Sequence, residues 1–121
     1  MKVVIPTSTP DGLLAKRGAH FGKADYYVIV EINNNEIVDV DFAQNPGHEG
    51  GACGNAVTNI QNLGADALIV SGIGGRPLEG FKQAGIKVYY DNVSPTVEEA
   101  IDKFIKGEIK EIRPENACGA H

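Results

Sequence analysis

The sequence predicts a single α/β domain, a three-layer sandwich in which helices cover both faces of a mixed five-stranded sheet. Three observations lead to this fold class: a hairpin pattern near the amino terminus, a later alternation of short apolar runs with helical stripes, and glycines that separate them. The 121 residues suit one compact domain, and 42% hydrophobic with 22% charged residues is typical of globular proteins.

The first half of the chain contains an opening strand and a hairpin. Residues 2–6 form a short apolar strand, and an extended excursion over residues 13–25 follows the next loop. Residues 26–32 are aromatic and β-branched, whereas residues 36–42 mix apolar with acidic side chains. The asparagines at 33–35 tolerate the left-handed backbone of a tight turn. We therefore expect two antiparallel strands with one solvated face.

The second half alternates helices with buried strands. From Ala52 an apolar stripe recurs at helical spacing until Gly64, and residues 67–70 form an apolar strand typical of a parallel sheet. Thr96 and Glu99 have the spacing of a capping box at the start of the last helix. The remaining predicted elements are a helix near Pro77 that ends at Gly85, a strand at 86–90 and a helix at 97–105 that Gly107 ends.

The order of these elements is strand, hairpin, helix, strand, helix, strand, helix. Parallel strands joined by helices require right-handed crossovers, and the hairpin adds an antiparallel strand at one edge. This is the outline of a ribonuclease H-like fold. Because residues 108–121 lack any clear period, they look like a tail; we expect the domain to span residues 1–113, with residues 114–121 as a flexible carboxyl-terminal tail.

Composition and missing motifs exclude several classes of function. The net charge of −5 disfavours a nucleic-acid partner. The longest apolar run, residues 26–30, is too short to cross a bilayer, and no signal-peptide core precedes it, so we expect a cytoplasmic protein. The first strand lacks the carboxylates of a two-metal nuclease, and no phosphate-binding loop of the G-x4-G-K-[ST] type occurs. We therefore expect a protein that is not an enzyme.

Two glycine-rich loops are candidates for a ligand site. Residues 45–54 and 72–76 both lead into predicted helix N-termini, which favour anions, and both should lie beyond the carboxyl ends of the parallel strands. Gly72, Gly74 and Gly75 would let a bulky ligand approach the backbone. A metal–sulfur cluster or a phosphate would suit such a place, although glycines before helices also serve ordinary turns.

Soft ligands for a metal are few in this chain. Cys53 lies in the first turn of a predicted helix, which favours the thiolate, but it also lies on the apolar stripe as a small buried residue would. His48 lies five residues before it, and His20 lies in the excursion before the hairpin. In the tail, Cys118 and His121 are close enough to share one metal ion.

The segment His20-Phe21-Gly22-Lys23-Ala24, with the opening strand before it and the hairpin after it, resembles the H-F-G-[RK]-A-x-[YF] signature of the dinitrogenase iron–molybdenum cofactor biosynthesis family. That family includes NifX-like proteins and the carboxyl-terminal domain of NifB-like proteins. The resemblance extends from residue 1 to about residue 113. It implies a ribonuclease H-like fold and binding of an iron–sulfur or iron–molybdenum type cluster. It also implies that His20 contacts the cluster. Copper–molybdenum sulfide clusters, held by some relatives, are a less favoured cargo.

We therefore expect a small carrier of such a cluster during cofactor assembly or delivery, with other cluster-assembly proteins as partners and neither nucleic acid nor membrane. One alternative is a non-catalytic interaction or regulatory module of a cluster-assembly system without its own metal. Another is a thiol redox protein, which the lack of a C-x-x-C motif disfavours. The expected metal ligands are His20, Cys53, Cys118 and His121, with cofactor contacts also from His48, Gly72, Gly74 and Gly75.

Overall fold

In the computed structural model, the described residues are 1–17, 24–44, 57, 60–73 and 75–112. They contain two α-helices, α1 (Gly75–Gln83) and α2 (Val97–Ile105), and a 3-10 turn at Gly12–Leu14. Val57 and residues 60–62 are also helical. The strands in this part of the chain are β1 (Lys2–Thr7), β2 (Tyr26–Asn33), β3 (Glu36–Gln44), β4 (Ala67–Val70), β5 (Lys87–Tyr90) and β6 (Lys110–Glu111).

The strands form one mixed sheet in the order β3-β2-β1-β4-β5-β6. β1 is parallel to β4, and β4 is parallel to β5, whereas β2, β3 and β6 are antiparallel to the strands that they join. It follows that β1, β3, β4 and β5 all run in the same direction. Their last residues, which we call the carboxyl rim, are Thr7, Gln44, Val70 and Tyr90.

Both faces of the sheet bury apolar side chains against helical residues. Successive residues of a strand point to opposite faces, so Val4 and Leu68 pack with Phe81 of α1 on one face. Val3 and Ile69 pack with Ile101 of α2 on the other. All four residues of β4 are buried, as predicted for a strand inside a parallel sheet. No helix in the described part of the chain is long and apolar enough to cross a membrane.

The predicted hairpin is confirmed. Asn34 and Asn35 have φ of 54° and 64°, the left-handed geometry that lets a two-residue turn join twisted strands. The predicted buried face of β3 is largely missing, because β3 is the outermost strand and β2 is the only described strand that it pairs with. Val38 and Phe42 remain 57% and 51% exposed, and Val40 is half-buried.

The sheet has six strands, so the predicted count of five is wrong. Lys110 and Glu111 were expected to lie in an irregular tail, but they pair antiparallel with Tyr90 and Tyr89. The next residue, Ile112, donates its backbone N–H to the Val88 carbonyl at 2.8 Å. A strand of two charged residues is too short to show a periodic pattern in the sequence. Its backbone hydrogen bonds to β5 define it.

The predicted stops of the helices hold, but one predicted cap does not. The helical segment at 60–62 is followed by Gly64 at φ +77°, a backbone conformation that a residue with a Cβ rarely adopts. Thr96 occupies the N-cap position of α2, yet its hydroxyl makes no capping hydrogen bond, so the expected capping box is wrong in this respect. The carbonyl of Ala15 takes over that role, accepting a hydrogen bond from the Val97 N–H at 3.2 Å.

Candidate functional site

The carboxyl rim holds both ends of the segment that carries the signature. Thr7, the last residue of β1, is paired with Tyr26 at the start of β2 and forms an isolated bridge with Arg17. The side chain of Thr7 is buried, and its hydroxyl donates to the Thr9 carbonyl at 2.8 Å. The chain therefore leaves this point at Arg17 and returns to it at Tyr26, with residues 18–25 between them.

A buried ion pair fixes Arg17 to the loop that follows β5. Arg17 Nη1 lies 3.3 Å from Asp91 Oδ2 and donates to the Ser94 carbonyl at 3.2 Å. Nη2 donates to the Asp91 carbonyl at 2.6 Å. The two side chains are only 6% and 5% exposed. This clamp ties the amino-terminal side of the signature segment to the end of a parallel strand on the other half of the sheet.

The environment of the clamp favours the charged form of both partners. Burial alone would raise the pKa of Asp91, but the Val93 N–H, which donates to Asp91 Oδ1 at 3.1 Å, and the charge of Arg17 lower it below its usual value. Burial lowers the pKa of Arg17, which Asp91 partly offsets. A guanidinium nevertheless stays protonated at any physiological pH. Asp91 is therefore a carboxylate paired with a cation, suited to hold the loop rather than to transfer protons.

This pKa predicts an acid-dependent loss of stability. Because the pKa of Asp91 is lower in the folded protein than its ordinary 3.8, its contribution is complete above about pH 5 and disappears as the pH falls through the folded value. We expect the difference in unfolding free energy between wild type and Asp91→Asn to shrink between about pH 5 and about pH 2. Urea titrations across that range measure it, and a difference independent of pH would contradict the assignment.

The predicted glycine-rich loop after β4 lies at the carboxyl rim. Gly72 is buried two residues after Val70, and Gly75 begins α1, so this loop does lead into a helix N-terminus. The other predicted loop begins after Gln44, also at the rim. Val57, in the helix predicted to follow that loop, has its Cγ2 3.1 Å from where a Cβ on Gly80 of α1 would be. The other predicted ligands and contacts lie outside the described residues: His20, His48, Cys53, Gly74, Cys118 and His121.

An open cleft of about 730 Å³ lies beside the rim, between the end of β5, α2 and β6. Its lining mixes both signs of charge with apolar surface, and the sequence did not point to it. In the part of the chain that the structure describes, no three His, Cys, Asp or Glu side chains converge as metal ligands would. The residues that line the cleft are Tyr90, Asp91, Val93, Lys103, Glu108, Ile109, Lys110, Glu111 and Ile112.

The sequence interpretation missed Arg17 and Asp91. A charged residue directly after an apolar strand, as Asp91 is after β5, was the available indication, because such positions fall at the carboxyl rim. Arg17 lies three residues before the signature segment, but nothing in its local sequence indicates burial. Only the fold brings these two residues together, since they are 74 positions apart in the chain.

Comparisons with known proteins agree with this architecture. An uncharacterized protein of Methanocaldococcus jannaschii is 32% identical over 112 residues, which cover 91% of this chain and 90% of that protein. The NMR structure of a candidate NifB protein from Thermotoga, assigned to the DUF35 family, has a TM-score of 0.76 and 31% identity, covering 91% of both chains. The apo form of the orange protein from Desulfovibrio gigas shares the fold, with a TM-score of 0.82, 24% identity and 92% of each chain covered.

The sequence profile described as dinitrogenase iron-molybdenum cofactor matches residues 1–107, nearly all of the chain that forms the sheet and both described helices. This match covers the signature segment and the rim together, and the archaeal relative is similar over almost its whole length. The chain therefore belongs to the dinitrogenase iron–molybdenum cofactor family.

Proposed function

We propose that this protein binds an iron–sulfur or iron–molybdenum type cluster and carries it during cofactor assembly or delivery, without catalysing a reaction itself. One observation carries the proposal: Arg17 and Tyr26, which flank the family signature in the sequence, both pair with Thr7 at the carboxyl rim. Family membership supports cofactor-related work in general. The position of these pairings supports the rim as the place where the cluster binds.

The chemistry of the rim suits an anionic, sulfur-rich cargo. Gly72 and Gly75 bring the backbone of the loop after β4 to the N-terminus of α1, where free N–H groups and the helix dipole favour negative charge. We assign first ligand roles to His20 and Cys53, because imidazole and thiolate bind iron and copper well. The further contacts in this proposal are His48, Gly74, Cys118 and His121.

We also infer that the architecture is the three-layer, ribonuclease H-like arrangement. Support comes from the central position of β1, between an antiparallel hairpin on one side and two parallel strands on the other. Apolar clusters on both faces of the sheet agree with helical layers above and below it. In such a sheet the carboxyl rim is the ordinary place for a ligand.

Reconstitution under anaerobic conditions tests cluster binding. We expect wild-type protein, incubated with ferrous iron, sulfide and molybdate and then desalted, to retain iron and a visible absorption band. The double variant His20→Ala/Cys53→Ala should bind about tenfold more weakly or worse, because two soft ligands are lost. Metal analysis and absorption spectra of the desalted protein measure both quantities. The matched control is Lys87→Ala, an exposed change at the opposite end of β5.

The outcomes separate the proposal from its alternatives. Wild-type protein that retains neither iron nor molybdenum would contradict it, and a stable complex with another assembly protein would then favour the interaction or regulatory module. Equal retention by the double variant and the Lys87→Ala control would remove His20 and Cys53 from the site. A Cys53–Cys118 disulfide, detected by mass spectrometry after mild oxidation, would instead favour thiol redox chemistry.

A further inference from the structure

The outer edge of β3 is the largest open strand edge that the structure describes. β3 has nine residues and is hydrogen-bonded to β2 alone, whereas β6 at the other end of the sheet has two. Seven of its nine residues are exposed. Such an edge offers unpaired N–H and C=O groups to any extended chain, so natural proteins usually protect it.

The backbone bonds at the start of the sheet identify which residues face this edge. Met1 donates to the Ile32 carbonyl at 3.1 Å, and Ile32 donates back to the Met1 carbonyl at 2.8 Å. Along an antiparallel strand, successive residues direct their backbone groups alternately to one neighbour and to the other. Val30 therefore also bonds towards β1, and Ile29 bonds towards β3.

The same alternation carries over to β3. Asp41 lies opposite Ile29 and thus bonds to β2, so its neighbours Val40 and Phe42 direct their N–H and C=O groups to the open edge. The Phe42 N–H donates a hydrogen bond to Oδ1 of the Asp41 carboxylate at 2.8 Å. An incoming strand would have to displace this carboxylate from Phe42, and the displaced charge would then need a cation.

The side chains along β3 alternate between apolar and acidic. Val40 and Phe42 lie opposite the buried residues Val30 and Val28, on the face that packs against α2. Asp39 and Asp41 lie on the other face and are exposed, and neither β2 nor β3 contains a lysine or an arginine. The edge is therefore apolar on one face and negatively charged on the other.

Pairing with a second copy of this strand is disfavoured by the same charges. A two-fold antiparallel pairing centred on Val40 sets Asp39 opposite Asp41 of the other copy. A pairing centred on Asp41 sets that residue opposite itself. Like charges directly opposite one another destabilise a sheet. In these two registers the edge therefore disfavours self-association, and in both it favours a strand with the opposite charge.

We propose that the open edge of β3 is a docking site for an extended segment of a partner protein in which basic and apolar residues alternate. The segment adds as a seventh, antiparallel strand, exchanging backbone hydrogen bonds with Val40 and Phe42. Its basic side chains lie opposite Asp39 and Asp41, and its apolar side chains lie beside Phe42. Because the added strand displaces the Asp41 carboxylate from the Phe42 N–H, it must offer that carboxylate a basic side chain. This requirement makes the edge specific for basic segments.

A synthetic peptide tests this proposal on the intact protein. The probe is a fluorescein-labelled peptide amide of about eight residues in which lysine and valine alternate. We expect saturable binding by fluorescence anisotropy, weakened by salt. The variant Asp39→Asn/Asp41→Asn should bind it about tenfold more weakly. The charge-matched control, Glu98→Gln/Glu99→Gln on the exposed first turn of α2, should bind it as wild type does.

Two methylated peptides test strand pairing on the unmodified protein, whatever the stability of the variants. N-methylation of the valines blocks the backbone groups that face β3, whereas N-methylation of the lysines modifies the far side of the added strand. We expect the first peptide to lose binding and the second to keep it. Equal binding of both peptides, or equal affinity of the two double variants, would overturn the proposal and leave the cluster proposal unaffected.

Discussion

Replacing Asp91 with alanine is expected to lower the free energy of unfolding by about 3–5 kcal/mol. The change leaves the Arg17 guanidinium, only 6% exposed, without its counter-charge. It also removes the acceptor that orders the Val93 N–H in the loop after β5. A buried charge without a partner is costly because it has lost its hydration. Urea unfolding at neutral pH, followed by circular dichroism, measures the effect.

An exposed ion pair provides the control. Lys106 Nζ lies 3.0 Å from Asp102 Oδ2, but both side chains are 59% exposed. Water and salt screen such a pair, so Asp102→Ala should hardly change stability. Replacing Arg17 and Asp91 together with apolar residues of similar size should restore part of the loss, because no lone charge remains buried. Equal effects of Asp91→Ala and Asp102→Ala would show that the clamp does not stabilise the fold.

Replacing Phe81 with alanine is expected to cost about 3–5 kcal/mol. Phe81 is completely buried, and it packs from α1 onto the face of the sheet that holds Leu68 and Val88. Its removal deletes apolar contacts and leaves a cavity that the surrounding strands cannot close, since β4 and β5 are held in register. Thermal and urea unfolding of the variant measure the loss.

Phe42→Ala is the matched control for this prediction. It deletes the same ring from a residue that is 51% exposed on the edge strand β3. The ring contacts Tyr26 edge to face, with centroids 6.3 Å apart, so we expect a loss of about 1 kcal/mol or less. If Phe81→Ala lowered the free energy of unfolding no more than Phe42→Ala does, Phe81 would not be closely packed between α1 and the sheet.

Local patterns were enough to predict most of the fold. Three elements have conformations that nearby residues alone specify. They are the apolar run of β4, the asparagine turn between β2 and β3, and the helix end at Gly64. That is why their positions agree with the structure to within a residue or two. The exposed state of β3 was not predictable in the same way. Its apolar residues alternate like those of a half-buried strand, and only its place at the end of the sheet leaves them uncovered.

The features that were missed depend on residues far apart in the chain. β6 exists because Lys110 and Glu111 meet β5, and the capping of α2 comes from the Ala15 carbonyl rather than from Thr96. The Arg17–Asp91 pair likewise forms only when the excursion before β2 reaches the loop after β5. A local pattern contains no information about such partners.

The candidate site was predictable in position more than in composition. The glycines at 72 and 75 correctly indicated a loop and a helix start at the carboxyl rim. The ligand roles of His20 and Cys53 stay predictions that came from the family signature and from the chemistry of the side chains. Asp91 shows why a charged residue after an apolar strand merits inspection, since here it holds Arg17, three residues before the signature segment.

The central position of β1 also has a consequence for the order in which the chain folds. Its pairing with β2, and the pairing of β2 with β3, join nearby parts of the chain, so this half can form soon after collapse. Its other neighbour is distant: the Lys2 N–H donates to Asp66 Oδ2, 64 positions away. Closing that loop costs entropy before the parallel pair with β4 returns any stabilisation. We therefore expect the joining of β1 to β4 to limit the folding rate, with the carboxyl rim completed only at that step.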